Sequence, residues 1–317
     1  MKRYILGRLL QTILTLWILA TVVFVLVNVL PGNPGRSIYG NTAPERLVQE
    51  YNERLGVNDP LIVQYGRSMK SLFTLDYGDS WKAGKPAMTT VVWPAFGRSA
   101  KLAILALLLT VPIASVAGRF AARRRDTLTD RFIVTTGLAT SSLPEFVTGT
   151  ILLYLFAVKW KIFSPLATVP DGTGFFGQWK YLLLPAFAMA IVYFGYIARM
   201  TRAGVINALN ADYTRTATMK GLSDRQVMNR HIMRNALGPT VAVVAVQIGY
   251  LFGGLVMIET VFNYSGIGST LLQAIVDKDM PVLQASVVLV GLVYMLATLI
   301  ADLIIAWLNP RVLLGSR

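Results

Sequence analysis

The run LLQTILTLWILATVVFVLVNVL, Leu9 to Leu30, contains no charged residue. As a helix rising about 1.5 Å per residue it reaches roughly 30 Å, the thickness of a bilayer's hydrocarbon core. Lys2, Arg3 and Arg8 precede it, as basic residues also precede a secretory signal. A signal's apolar stretch is usually about 7 to 15 residues and ends at small residues, whereas this one runs into Pro31-Gly32-Asn33-Pro34. A retained transmembrane helix is the expectation.

Five more apolar runs follow: Leu102 to Ala117, Phe132 to Val158, Tyr181 to Ala198, Leu237 to Phe262, and Val282 to Leu308. With 54% hydrophobic and 15% charged residues, the composition is that of an integral membrane protein. The fold class read from it is all-α, with six transmembrane helices. Loops 119–131 and 199–234 carry five and seven Lys or Arg, against three and one in loops 159–180 and 264–281. Twelve against four puts the basic loops and both termini in the cytoplasm. The segment from Pro31 to Arg98 then lies outside.

The same asymmetry accounts for the net charge of +14 without nucleic acid, because the basic residues are spread over loops rather than gathered in one patch. Zero cysteines and one histidine exclude disulfides, thiol chemistry and any Cys- or His-cluster metal site. His231 stands beside Arg230 and Arg234 with no second histidine, and reads as a solvated or interface residue. Gly84-Lys85 is followed by Pro86, so no phosphate-cradling loop ending in Gly-Lys-Ser or Gly-Lys-Thr is present. No nucleophile and base stand in a recognisable arrangement for a membrane-anchored enzyme.

Arg199 to Arg234 is long for a connection between membrane helices, most of which are about 2 to 8 residues. Asp212 to Lys220 reads as a short helix with an acidic first turn, and Gly221 as the left-handed residue that stops it. Ser223 with Gln226 fits a capping box that starts a second helix toward Leu237. The expectation is helix, turn, helix.

In the outer segment, Thr42-Ala43-Pro44-Glu45 opens an amphipathic helix with Leu47, Val48, Tyr51 and Leu55 on one face and Gly56 as its stop. Extended or turn-like chain is expected after it, punctuated by Asp59-Pro60, Tyr77-Gly78-Asp79 and Ala83-Gly84-Lys85-Pro86, until the chain re-enters the bilayer near Arg98. Within the spans, Glu145 follows Pro144, which is expected to kink the third span, and Glu259 lies near the end of the fifth. Each is a pathway candidate or a buried structural partner, since carboxylates are expensive in hydrocarbon. Lys101 and Asp302, close to span ends, receive no role. Gly249, Gly253 and Gly254 admit close approach of another helix. Tyr250, Phe252, Asn263 and Tyr264 line an outer gate or belong to the aromatic belt of a membrane interface.

These residues carry a resemblance. Asp212-Tyr213, Thr216-Ala217, Lys220-Gly221-Leu222-Ser223, His231, Arg234-Asn235-Ala236-Leu237 and Pro239 look like the cytoplasmic loop of the dipeptide and oligopeptide ABC importer permeases. It continues through Gly253-Gly254, Glu259-Thr260-Val261-Phe262, Gly266-Ile267-Gly268 and Asn309-Pro310-Arg311-Val312. Near the start it includes Arg8-Leu9-Leu10, Pro31-Gly32-Asn33-Pro34, Leu55-Gly56, Asp59-Pro60 and Gln64-Tyr65, and so covers nearly the whole chain. Arg215-Thr216-Ala217 stands where the general loop pattern has Glu-Ala-Ala, and Asn33 and Asn309 stand where aspartates are expected.

The resemblance implies a type I ABC importer permease fold: residues 1–95 as first helix and extracytoplasmic segment, 96–308 as a five-helix core with a coupling loop at 199–236, and 309–317 as a cytoplasmic tail. It implies ATPase coupling through Asp212, Tyr213, Thr216, Ala217, Met219, Lys220, Gly221, Leu222 and Ser223. Glu145, Tyr250, Glu259 and Asn263 are the candidates for the translocation pathway. The implied partners are a second homologous permease in a heterodimer, two cytoplasmic ATP-binding subunits, an extracytoplasmic substrate-binding protein and the lipid bilayer, with no nucleic acid. No cofactor or metal is expected on this chain; ATP and Mg belong to the ATPase subunits. The implied location is the bacterial cytoplasmic (inner) membrane. Peptides, nickel chelates and oligosaccharides remain open as cargo, as does an ion-coupled transporter working alone.

Overall fold

A computed structural model describes residues 2–29, 33–40, 42–170 and 172–308. Pro31-Gly32, Asn309-Pro310-Arg311-Val312 and the tail 309–317 lie outside the described residues. The elements are α1 (Lys2–Val29), α2 (Pro34–Tyr39), α3 (Glu45–Leu55), α4 (Leu61–Thr74), α5 (Trp93–Arg123), α6 (Leu128–Ser141), α7 (Glu145–Leu152), α8 (Trp179–Leu209), α9 (Asp212–Met219), α10 (Asp224–Gln226), α11 (Met233–Val261), α12 (Ile267–Asp277) and α13 (Met280–Leu308). π-Helical turns at Ala87–Val92, Leu153–Lys159 and Val227–Ile232 lead into α5, extend α7, and join α10 to α11. Among the described residues the β-structure is a single bridge, Asp79 to Pro86.

Among the described residues five helices are long and apolar enough to cross a membrane, or six if a bent pair counts as one span. The third span, expected as one kinked helix, is two helices, α6 and α7, meeting at 100° across Ser142-Leu143-Pro144. Proline has no amide hydrogen to offer and pushes the preceding residue out of the α region. Thr127 caps α6, and Pro144 takes the N-cap of α7.

The chain divides into two compact units. The first holds residues 101–264 and 296–308 of those described. In it α8 is the central helix, crossed at backbone contact three times. A Cβ on Gly195 would sit 1.9 Å from the carbonyl oxygen of Gly137 on α6. One on Gly204 would sit 2.3 Å from that of Ala236 on α11, and one on Gly118 of α5 would sit 2.3 Å from that of Ala198. In lipid, where apolar burial drives no association, such close crossings gain dispersion contact and hold helices together. Ser141 Oγ adds a hydrogen bond to the Val192 carbonyl at 2.9 Å.

The second unit holds residues 2–100 and 265–295. Phe24 of α1 packs edge-on against Tyr65 of α4 at 5.3 Å, and Thr21 Oγ1 lies 3.0 Å from the Tyr65 hydroxyl. Asn33 caps α2 through Oδ1 and accepts there from Asn52 at 2.9 Å. This acceptor role is one that an aspartate would also fill, so the departure from the family pattern at Asn33 leaves the local structure intact.

Several sequence expectations need correction in this unit. The N-cap of α3 is Pro44, without a side-chain cap bond. The inward face of α3 centres on Val48 and Asn52, while Leu47 is exposed; Gly56 does end the helix, with φ +67°. Helix α4 occupies chain expected to be extended, and α12 occupies the loop expected at 264–281. Helical chain resumes at Ala87, within the stretch expected to be extended or turn-like. The Tyr77–Pro86 stretch is the tight loop that its glycines imply, with Gly78 at φ +76° and Gly84 at φ +61°. Asp279 holds it, accepting from the Ser80 hydroxyl and from the Trp81 and Lys82 amides at 3.2 and 3.3 Å.

Candidate functional site

Helix α8 runs eleven residues beyond Ala198, so the stretch expected as a loop from Arg199 is helical to Leu209. At the other end, α10, the π turn and α11 form one rod from Asp224 to Val261. The second helix therefore runs on without a break into the span expected from Leu237. What projects is α9 with its two turns, 210–223.

Its local chemistry follows the sequence. Asp212 sits in the first turn of α9, and Lys220 is the C-cap rather than a helical residue. Gly221 has φ +77°. Its amide donates to the Thr218 carbonyl at 3.0 Å, and the Leu222 amide to that of Ala217 at 3.4 Å, a Schellman stop. Ser223 and Gln226 form the full capping box. Two orphan ends lying two residues apart are thus both satisfied, which fixes the angle between α9 and the rod.

The tertiary seat of α9 was not legible. Thr214 and Ala217, one turn apart, face inward. Thr214 Oγ1 donates to the Ala208 carbonyl at 2.6 Å. Ala217 joins a buried apolar cluster of Ala122, Val205, Ala208, Val227, Met228, Ile232 and Ala236, with Leu222 against it. The α9 helix is therefore bonded to the end of α8 and packed on α11's lead-in. Tyr213, Thr216, Met219 and Lys220 face out, Met219 with 73% of its surface exposed. Burial pushes the Tyr213 phenol above its usual range, and a hydrogen bond with Asn235 opposes that. Of the nine coupling candidates, Asp212 opens α9; Ala217 belongs to the seat; Gly221, Leu222 and Ser223 make the turn; Tyr213, Thr216, Met219 and Lys220 form the outward face. Sequence reasoning missed Thr214, for which the i, i+3 spacing with Ala217 was the available signal.

A second constellation lies among α7, α8 and α11. The Tyr193 hydroxyl shares its hydrogen between Glu145 Oε1 at 3.3 Å and the Tyr250 carbonyl at 3.4 Å. Gly254 makes the room: a Cβ there would sit 2.7 Å from the Tyr193 oxygen and 3.1 Å from Glu145 Oε1. Tyr193 thus links Glu145 to the backbone of Tyr250, a residue that is 66% exposed. Glu259 is not open to a passing solute in this conformation, being 1% exposed. Asn263 is the left-handed residue that stops α11, with φ +49°. The Tyr264 amide closes that stop on the Glu259 carbonyl at 2.8 Å. Phe252 and Tyr264 are buried in the protein, which corrects the reading of them as a membrane-interface belt. Among the described residues no group of three or more His, Asp or Glu could hold a metal.

Apolar helices of membrane-spanning length, packed at glycines against a central helix that carries the seated α9, fit a membrane-embedded protein. Comparison with known proteins gives the family. Residues 111–314 match the binding-protein-dependent transport system inner membrane component, and residues 1–104 match the N-terminal part of such membrane components. The chain is 33% identical to the dipeptide transport system permease protein DppB of Alkalihalophilus pseudofirmus, over 98% of this chain and 99% of that one. It is also 33% identical to a probable peptide ABC transporter permease, y4tP, of Sinorhizobium fredii, over 98% of both. With the glutathione transport system permease protein GsiC of Escherichia coli it shares 32% identity over 98% of this chain and 99% of that one. The chain belongs to the binding-protein-dependent ABC permease family and is a multi-pass component of the inner membrane. Its relatives are transport permeases.

Proposed function

We propose that this chain forms half of the translocation pathway of an ATP-driven importer for di- and oligopeptides, paired with a second, different permease. Two cytoplasmic subunits bind ATP and Mg, a binding protein delivers cargo from outside, and both termini of this chain are cytoplasmic. This chain holds no ATP site. The observation that carries the reading is the seat of α9: a helix bonded to α8 through Thr214 and Ala208 and packed on the lead-in to α11 cannot be displaced without moving both.

Closure of the ATPases on ATP pushes the outward face of α9, namely Tyr213, Thr216, Met219 and Lys220. Asp212, Gly221, Leu222 and Ser223 keep that face at a fixed angle, and the α8 and α11 helices carry the motion into the bilayer. Stiff elements with two discrete arrangements carry such coupling. Alternating access then needs no covalent chemistry. Glu145 and Tyr250 line the pathway. The names of related permeases support peptide cargo; nickel chelates and oligosaccharides are the competing cargoes.

The test is purification from native membranes in mild detergent, with mass spectrometry of the complex and ATPase activity with and without receptor and cargo. The expected result is a second permease, ATPase subunits, and hydrolysis stimulated by peptide-loaded receptor. A lone chain without ATPase partners would sink the importer reading, and a receptor that binds a sugar or a metal chelate but no peptide would sink the cargo.

A further inference from the structure

Glu145 opens α7 at the break in the third crossing, within a pair of helices that has the length and hydropathy of a membrane span. A carboxylate in such a position is costly unless something compensates its charge. The amides of the first turn of α7 supply a partial positive charge, and Tyr193 supplies a hydroxyl hydrogen that it shares with the Tyr250 carbonyl. Neither is a cation. Among the described residues no Lys, Arg or His forms an ion pair with Glu145, although the chain has 30 Lys and Arg. The side chain is half-buried, neither sealed in nor fully solvated.

The surroundings are shaped to admit a group from outside. Gly254 leaves the space the carboxylate occupies, and beside it a Cβ on Gly253 would meet nothing within 4 Å. The same hydroxyl is bonded to the backbone carbonyl of Tyr250, whose side chain is exposed, and aromatic faces attract ammonium and guanidinium ions. Among the described residues no group of three or more acidic or histidine side chains gathers there, so the site suits one monovalent organic cation rather than a divalent metal.

We propose that Glu145, with Tyr193 holding its carboxylate, is a subsite for a cationic group of the cargo, an ammonium or a guanidinium, during passage through the membrane. The inference rests on the reading of Glu145 as a pathway residue. It gives the permease a charge preference of its own, separate from whatever the receptor selects. Because Tyr193 keeps its hydrogen bond when the cation departs, the carboxylate is not left bare between cargoes, and release stays easy.

The chain contains no cysteine, so Gly253→Cys introduces its one thiol next to the subsite. In the assembled transporter in lipid nanodiscs, the reaction rates of that thiol with a trimethylammonium thiosulfonate and with an anionic sulfonate thiosulfonate are compared, modification of this chain being read by mass spectrometry. The ratio of cationic to anionic rate is expected to fall by about tenfold, one 1.4 kcal/mol step, when Glu145 is also changed to Gln, and to recover in part with Glu145→Asp. An unchanged ratio overturns the proposal, as does a thiol that neither reagent reaches. So does loss of the second permease from the Glu145→Gln complex on gel filtration, which would assign Glu145 to an interface ion pair. In vesicles supplied with receptor and ATP, Glu145→Gln is expected to slow uptake of Ala-Lys-Ala more than that of Ala-Glu-Ala. If the unaltered transporter takes up neither peptide, the peptide reading fails while the thiol ratio still decides the subsite.

Discussion

Arg202 of α8 grips Asp130 of α6 with two parallel bonds, Nε to Oδ1 and Nη2 to Oδ2, each 2.6 Å. The Asp130 side chain is 4% exposed and that of Arg202 25%, and Asp130 also accepts from the Asp126 amide at 3.0 Å. The pair ties the α5–α6 turn to the part of α8 that carries α9. Removing one partner of a buried pair leaves an uncompensated charge and costs about 3 to 5 kcal/mol. Asp130→Ala and Arg202→Ala are each expected to lower thermal stability in detergent sharply, and the double variant to lose less than their sum. Arg202→Lys should not rescue, because an ammonium cannot make the two-pronged contact. Additive losses in a double-mutant cycle would show that the bonds do not act as a pair.

Thr214 anchors α9 by one hydroxyl. Thr214→Val keeps the shape and removes the bond, at about 1 kcal/mol. The chain is expected to insert and assemble normally while cargo-stimulated ATPase activity falls. Ala217→Leu, which overfills the cluster beneath α9, is expected to uncouple more severely. Full stimulation in both variants, measured in nanodiscs with the receptor, would remove the seat from the mechanism.

Gly221 lies in open space but at φ +77°, so substitution there meets a backbone penalty rather than a clash, roughly 1 to 2 kcal/mol for an ordinary L-residue. Gly221→Asn, which tolerates that conformation, is expected to keep most of the transport rate. Gly221→Val and Gly221→Pro are expected to lose it with no change in membrane insertion. Equal activity of all three would show that the turn angle is not transmitted.

Gly195 and Gly238 are a matched contrast. A methyl on Gly195 would overlap the Gly137 carbonyl, whereas one on Gly238 meets nothing within 4 Å. Overpacking typically costs about 1 to 3 kcal/mol and more where backbone must move, while Gly to Ala inside a helix gains up to about 1 kcal/mol. Gly195→Ala is expected to abolish recovery of folded protein, and Gly238→Ala to match or exceed the unaltered chain in thermal stability. The reverse order would mean that the α6–α8 crossing is not as close as described.

Asp277 of α12 faces Lys82 at 2.6 Å and Gln273 at 2.8 Å. Burial pushes its pKa up, but the bonds from Lys82 and Gln273 outweigh that and hold it below the usual aspartate value. A depressed folded value means that this contribution to stability is complete above the unfolded pKa of about 3.9 and is lost as pH falls through the lower folded value. Hydrogen exchange at the amides of residues 80–83 is expected to speed up in that acid range in the unaltered chain. In Asp277→Asn the extra acid step should be missing. Identical profiles would exclude Asp277 as the titrating group.

The membrane class was readable because hydropathy is a local sum: about 20 consecutive apolar residues bury their own backbone bonds whatever surrounds them. The stops at Gly56 and Gly221 and the capping box at Ser223 were readable for the same reason, since each is closed by atoms within six residues. The extent of α8 past Ala198 was missed because polarity changed there while helix-forming tendency did not. Which faces meet was decided by the tertiary structure alone. Helices α8 and α11 are apolar nearly all round, so no periodicity marks the inward side, and only contact reveals Gly195 against Gly137, Thr214 on Ala208, or Tyr193 reaching both Glu145 and Tyr250. A glycine in a sequence is a permission; the helix lying against it is a long-range fact, fixed by the packing of residues tens of positions apart.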